Sequence, residues 1–177
     1  MYIWVAIDVD TQVQELRKSA ELYIKSNGLS SPTLTLPFHV SLKISFQILD
    51  ENREAVVEDI LEFLKTLKPF DISVNEIEQN GPIVWLTMRN NEKLDYIHAA
   101  LDALLFENHG VPLHEFDKEF IFHTSILILD SKEQSERAFS AIKNSVLPKE
   151  LTAKRFIIGS SSDGQPGTYS VNEVLEF

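Results

Sequence analysis

Two short stretches of the sequence carry the same pair of chemically reactive side chains. His39 is followed two residues later by Ser41, and His123 is followed two residues later by Ser125. Because alternate residues of a β-strand point to one face, each imidazole would share a face with its hydroxyl. An imidazole can accept or donate a proton near neutral pH. Two such pairs facing each other would suit phosphoryl transfer, with one histidine as base, the other as acid, and the hydroxyls on the phosphoryl oxygens.

Lys43 adds a cation to the first of these stretches. It lies two residues after Ser41, so strict alternation predicts that it shares the face of His39 and contributes to phosphate binding. Each of these side chains also has a purely structural interpretation: histidines satisfied in the core, serines bonded to neighbouring backbone, and a solvated lysine. The repetition of histidine with serine favours function for both pairs.

The two stretches occupy corresponding places in a larger repeat. An offset of 84 residues (123 − 39 = 84) places residues 38–41 on residues 122–125 and roughly superposes the helices predicted after them. The same offset carries segment 70–88 onto segment 154–172, so two hairpins with Gly/Pro turns coincide. We interpret this as a duplicated β-α-β-β unit that forms two lobes; the alternative is coincidence. Duplication would place the two histidines opposite each other in one cleft.

The hydrophobic pattern predicts the elements that must position these residues. Apolar residues at helical spacing, bounded by capping residues, Gly and Pro, predict helices within 11–27, 51–68, 92–108 and 132–146. Runs of β-branched and aromatic residues predict strands over 2–9, 38–49, 70–77, 83–88 and 120–129, with two final strands around the turn at 163–167. The mixture predicts an α+β fold.

Length, charge and composition bound the remaining possibilities. With 177 residues, 44% of them hydrophobic, we expect a single domain over 1–177 whose two lobes carry motif one around 38–43 and motif two around 122–126. The net charge of −11 (16 − 27) disfavours duplex nucleic acid and membrane surfaces as partners. The absence of cysteine excludes disulfides, zinc-thiolate sites and thiol nucleophiles. Without a recognisable signal peptide or a long apolar run, we expect a soluble, cytoplasmic monomer.

The motifs resemble those of a known superfamily. The stretches 39–43 (His-Val-Ser-Leu-Lys) and 123–126 (His-Thr-Ser-Ile) are similar to the paired His-x-Ser/Thr-x motifs of the 2H phosphoesterases. That superfamily includes RNA 2′,3′-cyclic phosphodiesterases, so-called 2′-5′ RNA ligases and 2′,5′-oligoadenylate phosphodiesterases. The resemblance covers nearly the whole chain, from the opening strand and helix to the closing hairpin.

The resemblance implies a fold, an activity and a set of site residues. The fold would be bilobal α+β, with antiparallel sheets facing a central cleft and helices outside. The activity would be metal-independent attack on a phosphodiester, with no cofactor. His39 and His123 would be the catalytic acid/base pair, and Ser41, Ser125 and Lys43 would bind the phosphate.

The second motif departs from the ligase-like members. A basic residue is common after that motif, and this chain has Ile128 there. The departure weakens the assignment to the RNA-processing branch. Two aromatic residues that the 84-residue offset aligns in the hairpins, Trp85 and Tyr169, are candidates for stacking a nucleobase.

The remaining histidines have ordinary interpretations. His98 falls in the third predicted helix, where we place it on the polar flank. His109 and His114 lie close to Glu115 and Asp117, which superficially suggests a metal site. Their irregular spacing argues against one, so we expect no metal.

The sequence therefore predicts a metal-independent phosphodiesterase. Its substrate would be a nucleoside 2′,3′-cyclic phosphate, a 2′,5′-linked oligonucleotide or another small phosphodiester. One alternative is an RNA 2′-5′ ligase or tRNA-fragment enzyme, and another is an inactive module that binds nucleotide phosphates. The near-symmetric motifs leave open which histidine is the base.

Overall fold

The computed structural model describes all 177 residues, which form eight strands, four α-helices and four short 3₁₀ turns. The strands are Tyr2–Asp8 (β1), His39–Gln47 (β2), Phe70–Asn80 (β3), Ile83–Met88 (β4), His123–Ile128 (β5), Glu150–Ala153 (β6), Arg155–Ser161 (β7) and Ser170–Glu176 (β8). The helices are Gln14–Asn27 (α1), Arg53–Lys65 (α2), Glu92–His109 (α3) and Lys132–Ile142 (α4).

Local sequence signals explain where the helices begin and end. The Ser131 side chain accepts a hydrogen bond from the backbone N–H of Gln134 and so caps α4. Helices α1 and α3 both end at glycines with positive φ, 62° at Gly28 and 65° at Gly110. These glycines stop the helices where the sequence pattern predicts.

The strands form two antiparallel four-stranded sheets. Sheet A has the order β2-β1-β7-β8, and sheet B has the order β5-β4-β3-β6. One face of each sheet packs into a core of 38 buried apolar residues that includes side chains of all four helices. The predicted α+β fold with antiparallel sheets is thereby confirmed.

The strands of the two sequence units are exchanged between the sheets. Sheet A combines β2, which carries the first motif, with the late hairpin β7-β8, while sheet B combines β5, which carries the second motif, with the early hairpin β3-β4. Around the two motif strands, β1-α1-β2 has the same arrangement as β4-α3-β5. The unit with the first motif and the unit with the second motif therefore each need strands of the other to complete a sheet.

Two details differ from the expectations. The short edge strand β6 is absent from the predicted pattern because four residues are too few to display a clear alternation. Helix α4 ends at Ile142, four residues before the predicted boundary.

No helix of the chain is long and apolar enough to cross a membrane.

Candidate active site

The two motif histidines open two strands that lie next to each other. His39 is the first residue of β2 and His123 the first residue of β5. Both strands are edge strands of their sheets, and they contact each other where sheet A meets sheet B. The fold thus brings together the two residues that the sequence places 84 positions apart.

The backbone holds both imidazoles in the same way. Nδ1 of His39 lies 2.8 Å from the carbonyl oxygen of Pro37, and Nδ1 of His123 lies 2.7 Å from that of Ile121. Because a carbonyl oxygen only accepts hydrogen bonds, Nδ1 carries the proton in both rings. This leaves Nε2 of each neutral imidazole free to accept a proton or, once protonated, to donate one.

The pKa values of the two motif histidines are shifted in the same direction by burial. Burial lowers the pKa of His39, and it also lowers the pKa of His123. A positive charge on His123 lowers the pKa of His39 further, because the two rings are close enough to repel each other when both are protonated. The pair consequently favours states with at most one imidazolium.

A tryptophan packs against each histidine. The ring centroids of Trp4 and His39 are 4.6 Å apart, and those of Trp85 and His123 are 4.3 Å apart. The counterpart of Trp85 is therefore Trp4 on β1, whereas the 84-residue offset aligned it with Tyr169. The two motifs alone gave no indication of Trp4. The signal was the similarity of Ile-Trp-Val at 3–5 to Val-Trp-Leu at 84–86, which marks β1 and β4 as equivalent.

Tyr169 packs against Trp4, in a small apolar cluster on sheet A with Ala6 and Ile157. Its ring packs edge-on to Trp4 with centroids 6.4 Å apart, and its hydroxyl lies 2.7 Å from the hydroxyl of Ser45. Tyr169 thus contacts the indole that packs against His39.

The motif serines accompany the histidines as the alternation predicts. Ser41 lies opposite Ala6 in the β1–β2 pair, and Ser125 lies opposite Trp85 in the β4–β5 pair. Both serines are partly buried. In each motif a hydroxyl therefore lies two residues beyond the imidazole on the same face of the strand.

Lys43 does not reach the phosphate side of the cleft, which corrects the prediction. The side chain is 2% exposed, and its Nζ lies 2.7 Å from Oδ1 of Asp102 and forms a second ion pair with Asp117. The physical reason is an irregular register between β1 and β2, where one step along β1 spans two residues of β2. The bulge breaks strict alternation after Ser41, and the two carboxylates hold the ammonium group inside the protein.

His98 belongs to the same buried cluster, and the prediction that it lies on the polar flank of its helix is wrong. Its Nδ1 is 2.8 Å from the carbonyl oxygen of Leu42, and its ring stacks on Phe120 at 4.2 Å. The ligand atoms of His98, Asp102 and Asp117 lie within 4.8 Å of one another, but the cation that pairs with both carboxylates is the ammonium group of Lys43.

The ammonium group of Lys43 pairs with both carboxylates of that cluster. The cluster ties β2 to the loop that leads into His123. The other two histidines lie apart from it: His109 bonds to Asp59 at 2.9 Å, and His114 caps a 3₁₀ turn.

The strand next to each histidine differs between the halves. Asp8 on β1 lies opposite His39, and its carboxylate raises the pKa of that histidine against the larger effect of burial. The Asp8 carboxylate also accepts a hydrogen bond of 2.9 Å from Arg155. On the other side, Thr87 on β4 lies opposite His123. The residue directly opposite His39 is thus charged, whereas the residue directly opposite His123 is not.

Comparisons with known proteins agree with this geometry. A model of the 2′-5′ RNA ligase superfamily matches residues 4–165. TT0787 of Thermus thermophilus is similar in structure, with a TM-score of 0.68 and 16% identity over 99% of this chain and 97% of that one. E. coli LigT complexed with NADP+ has a TM-score of 0.58 and 16% identity, with coverages of 99% and 96%. Usb1 of Kluyveromyces marxianus has a TM-score of 0.54 and 12% identity, with coverages of 99% and 98%.

No match is found among curated proteins. The structural similarities, all at low identity, show the shared fold. The superfamily model spans nearly the whole sequence, including both histidine motifs. The chain therefore belongs to the 2′-5′ RNA ligase superfamily, in agreement with the resemblance of its motifs to those of the 2H phosphoesterases.

Proposed function

We propose that the protein is a metal-independent phosphodiesterase that opens a nucleoside 2′,3′-cyclic phosphate. The observation that carries the proposal is the matched presentation of two imidazoles. In both, a carbonyl two residues earlier binds Nδ1, burial lowers the pKa, and a serine hydroxyl follows two residues later. These features suit one proton acceptor and one proton donor on opposite sides of a phosphoryl group.

The reaction would use the two histidines in sequence. Nε2 of one neutral histidine takes a proton from a water molecule as the water oxygen attacks phosphorus. The bond from phosphorus to one ribose oxygen breaks, and the imidazolium of the other histidine protonates that oxygen. The product is a phosphomonoester, and exchange of protons with solvent restores the starting states. Ser41 and Ser125 would donate hydrogen bonds to the phosphoryl oxygens as negative charge develops.

The charge of the protein favours a small substrate. With a net charge of −11, the surface repels long polyanions, whereas a mononucleotide needs only the local polarity of the cleft. E. coli LigT, which shares the fold, has been crystallised with the nucleotide NADP+. We extend nucleotide binding to this chain as part of the proposal.

The test is turnover of adenosine 2′,3′-cyclic phosphate in the presence of EDTA, followed by chromatography of the phosphomonoester. We expect turnover by the wild-type protein and none above background by a His39→Ala/His123→Ala double variant. Equal rates for the two proteins would overturn the proposal. Joining of RNA ends without hydrolysis of the cyclic nucleotide would favour the ligase, and binding without product would favour an inactive nucleotide-binding module.

A further inference from the structure

A cavity of about 590 Å³ lies where β3 pairs with the edge strand β6 of sheet B, and neither motif histidine lines it. Its wall includes the hydroxyl of Ser73, the amide of Asn75, the cations Arg89 and Lys149, and the carboxylate of Glu150. The cavity is open to solvent, and all five side chains are at least partly exposed.

The cavity begins two strands away from His123. Asn75 donates a hydrogen bond of 3.2 Å to the hydroxyl of Thr87, and Thr87 lies opposite His123 in the antiparallel pair. Neighbouring strands are about 4.8 Å apart, so Asn75 is about 10 Å from His123. Arg89 lies just beyond the end of β4, two residues after Thr87, and lines the same cavity as Asn75. This spacing lets one nucleotide contact both the histidines and the cavity.

Arg89 and Lys149 are the cations that line this cavity, and neither forms an ion pair with an acidic side chain. The ammonium group of Lys43 lies between two carboxylates, and the guanidinium of Arg155 binds two more. Arg89 and Lys149 are exposed and take part in none of the ion pairs of the structure. With Glu150 included, the cavity carries a charge of +1 (2 − 1) on a protein whose total charge is −11. An anionic group near the cleft would therefore be attracted to this place.

We propose that this cavity is a second-phosphate subsite, formed by Ser73, Asn75, Arg89 and Lys149. It would bind a phosphoryl group of the substrate other than the one that reacts. The guanidinium offers paired donors to phosphate oxygens, the lysine a compact charge, and Ser73 and Asn75 further donors. The inference rests on the proposed function and narrows its substrate to nucleoside cyclic phosphates that carry one more phosphate. The extra phosphate is either a terminal 5′-phosphate or the internucleotide phosphate of a preceding nucleotide.

The experiment compares three substrates: adenosine 2′,3′-cyclic phosphate, the same compound with a 5′-phosphate, and a diadenylate that ends in a 2′,3′-cyclic phosphate. We expect wild-type kcat/KM to be at least about tenfold higher for a substrate with the second phosphate, because bonds between charged groups are strong. Arg89→Ala should remove most of this preference and leave kcat/KM for the first substrate within about twofold. Comparison of the second and third substrates identifies which phosphate is bound.

Two further variants act as controls of opposite kinds. Glu150→Gln removes the one carboxylate of the cavity and should increase the preference about two- to threefold at low salt. Arg137→Ala removes an exposed, unpaired arginine on α4 and should change nothing. An unchanged preference in Arg89→Ala would overturn the subsite.

The failure of the subsite and the failure of the proposed function have different signatures. If no cyclic phosphate is turned over, the proposed function fails. Dissociation constants of the first two compounds for the wild-type and Arg89→Ala proteins then decide the subsite. Tighter binding of the 5′-phosphorylated compound that disappears in Arg89→Ala supports the subsite, and equal binding overturns it.

Discussion

The His39 half and the His123 half of the cleft present their imidazoles alike. In both, a backbone carbonyl binds Nδ1, an indole packs on the ring, and a serine follows two residues later. The difference lies one strand away, where Asp8 lies opposite His39 and Thr87 lies opposite His123. A carboxylate favours the imidazolium form, whereas an uncharged hydroxyl does not.

This difference matters because acid/base catalysis requires unlike groups. Two imidazoles held in the same way would have equal proton affinities, while the proposed reaction needs one protonated and one neutral at the same time. The strand next to each motif can separate their proton affinities without any change in the motif itself. Residues outside the motifs thus distinguish the halves.

A second difference lies within the motif strands. Lys43 in β2 corresponds to Leu127 in β5 at the same 84-residue offset (127 − 43 = 84), and both side chains are buried. Lys43 requires two carboxylates, from Asp102 and Asp117, whereas Leu127 joins the apolar core. One half therefore has an ionic cluster where the other has apolar packing.

The largest expected effect tests what the halves share. His39→Ala and His123→Ala should each lower kcat/KM by at least about 100-fold, since each removes one proton-transfer group. The double variant should lose little more than either single variant, because the two groups act as one unit. Steady-state kinetics with a cyclic nucleotide, alongside circular dichroism to verify folding, measures this. Full activity in one folded single variant would show that only one half is catalytic.

The next effect tests the buried ionic cluster. Lys43→Met should lower the free energy of unfolding by about 3–5 kcal/mol, because it leaves the carboxylates of Asp102 and Asp117 buried without their cation. Leu127→Met is the same replacement at the corresponding position and should cost less than about 1.5 kcal/mol. Urea denaturation of both variants gives the comparison. If both variants lost the same free energy of unfolding, removal of the buried cation would cost no more than the change in apolar packing.

A smaller effect separates the halves by their pH dependence. Asp8→Asn removes a carboxylate that raises the pKa of His39, so the limb of the kcat/KM profile that reports His39 should move to lower pH. Thr87→Val removes an uncharged hydroxyl and its hydrogen bonds to Asn75 and Glu78 but changes no charge, so it should leave both limbs in place. Profiles for the wild type and both variants test this. A limb that stays in place in Asp8→Asn would remove the proposed distinction.

The smallest effect concerns stability against pH. Burial lowers the pKa of both His39 and His123 below the value of about 6.5 for an unfolded chain. Below that pH the unfolded chain binds more protons than the folded one, so stability is full above about pH 6.5 and falls on acidification. Each histidine contributes at most about 1.4 kcal/mol per pH unit. Urea midpoints between pH 7.5 and 5.5 should fall less in His39→Asn and His123→Asn than in the wild type.

The features that could be predicted from the sequence are those that depend on local periodicity. The four helices, the motif strands and the pairing of His39 with His123 follow from apolar spacing and a repeated motif. The position of Lys43 did not follow, because the bulge in β2 depends on its pairing with β1. The role of Trp4 required β1 to be recognised as the equivalent of β4, and the 84-residue offset began only at the motif strand. The exchange of strands depends on contacts between residues far apart in sequence.

That exchange has a consequence for how the chain folds and unfolds. β1 is hydrogen-bonded to β7, about 150 residues later, so sheet A closes only after most of the chain is available. Such long-range pairing predicts slow folding compared with helical proteins of this size. β3 and β4 in turn complete the sheet that contains β5. Unfolding of either sequence unit would therefore remove strands from both sheets. The two halves should therefore unfold in a single cooperative transition, so that the histidine pair exists only when the whole chain is folded.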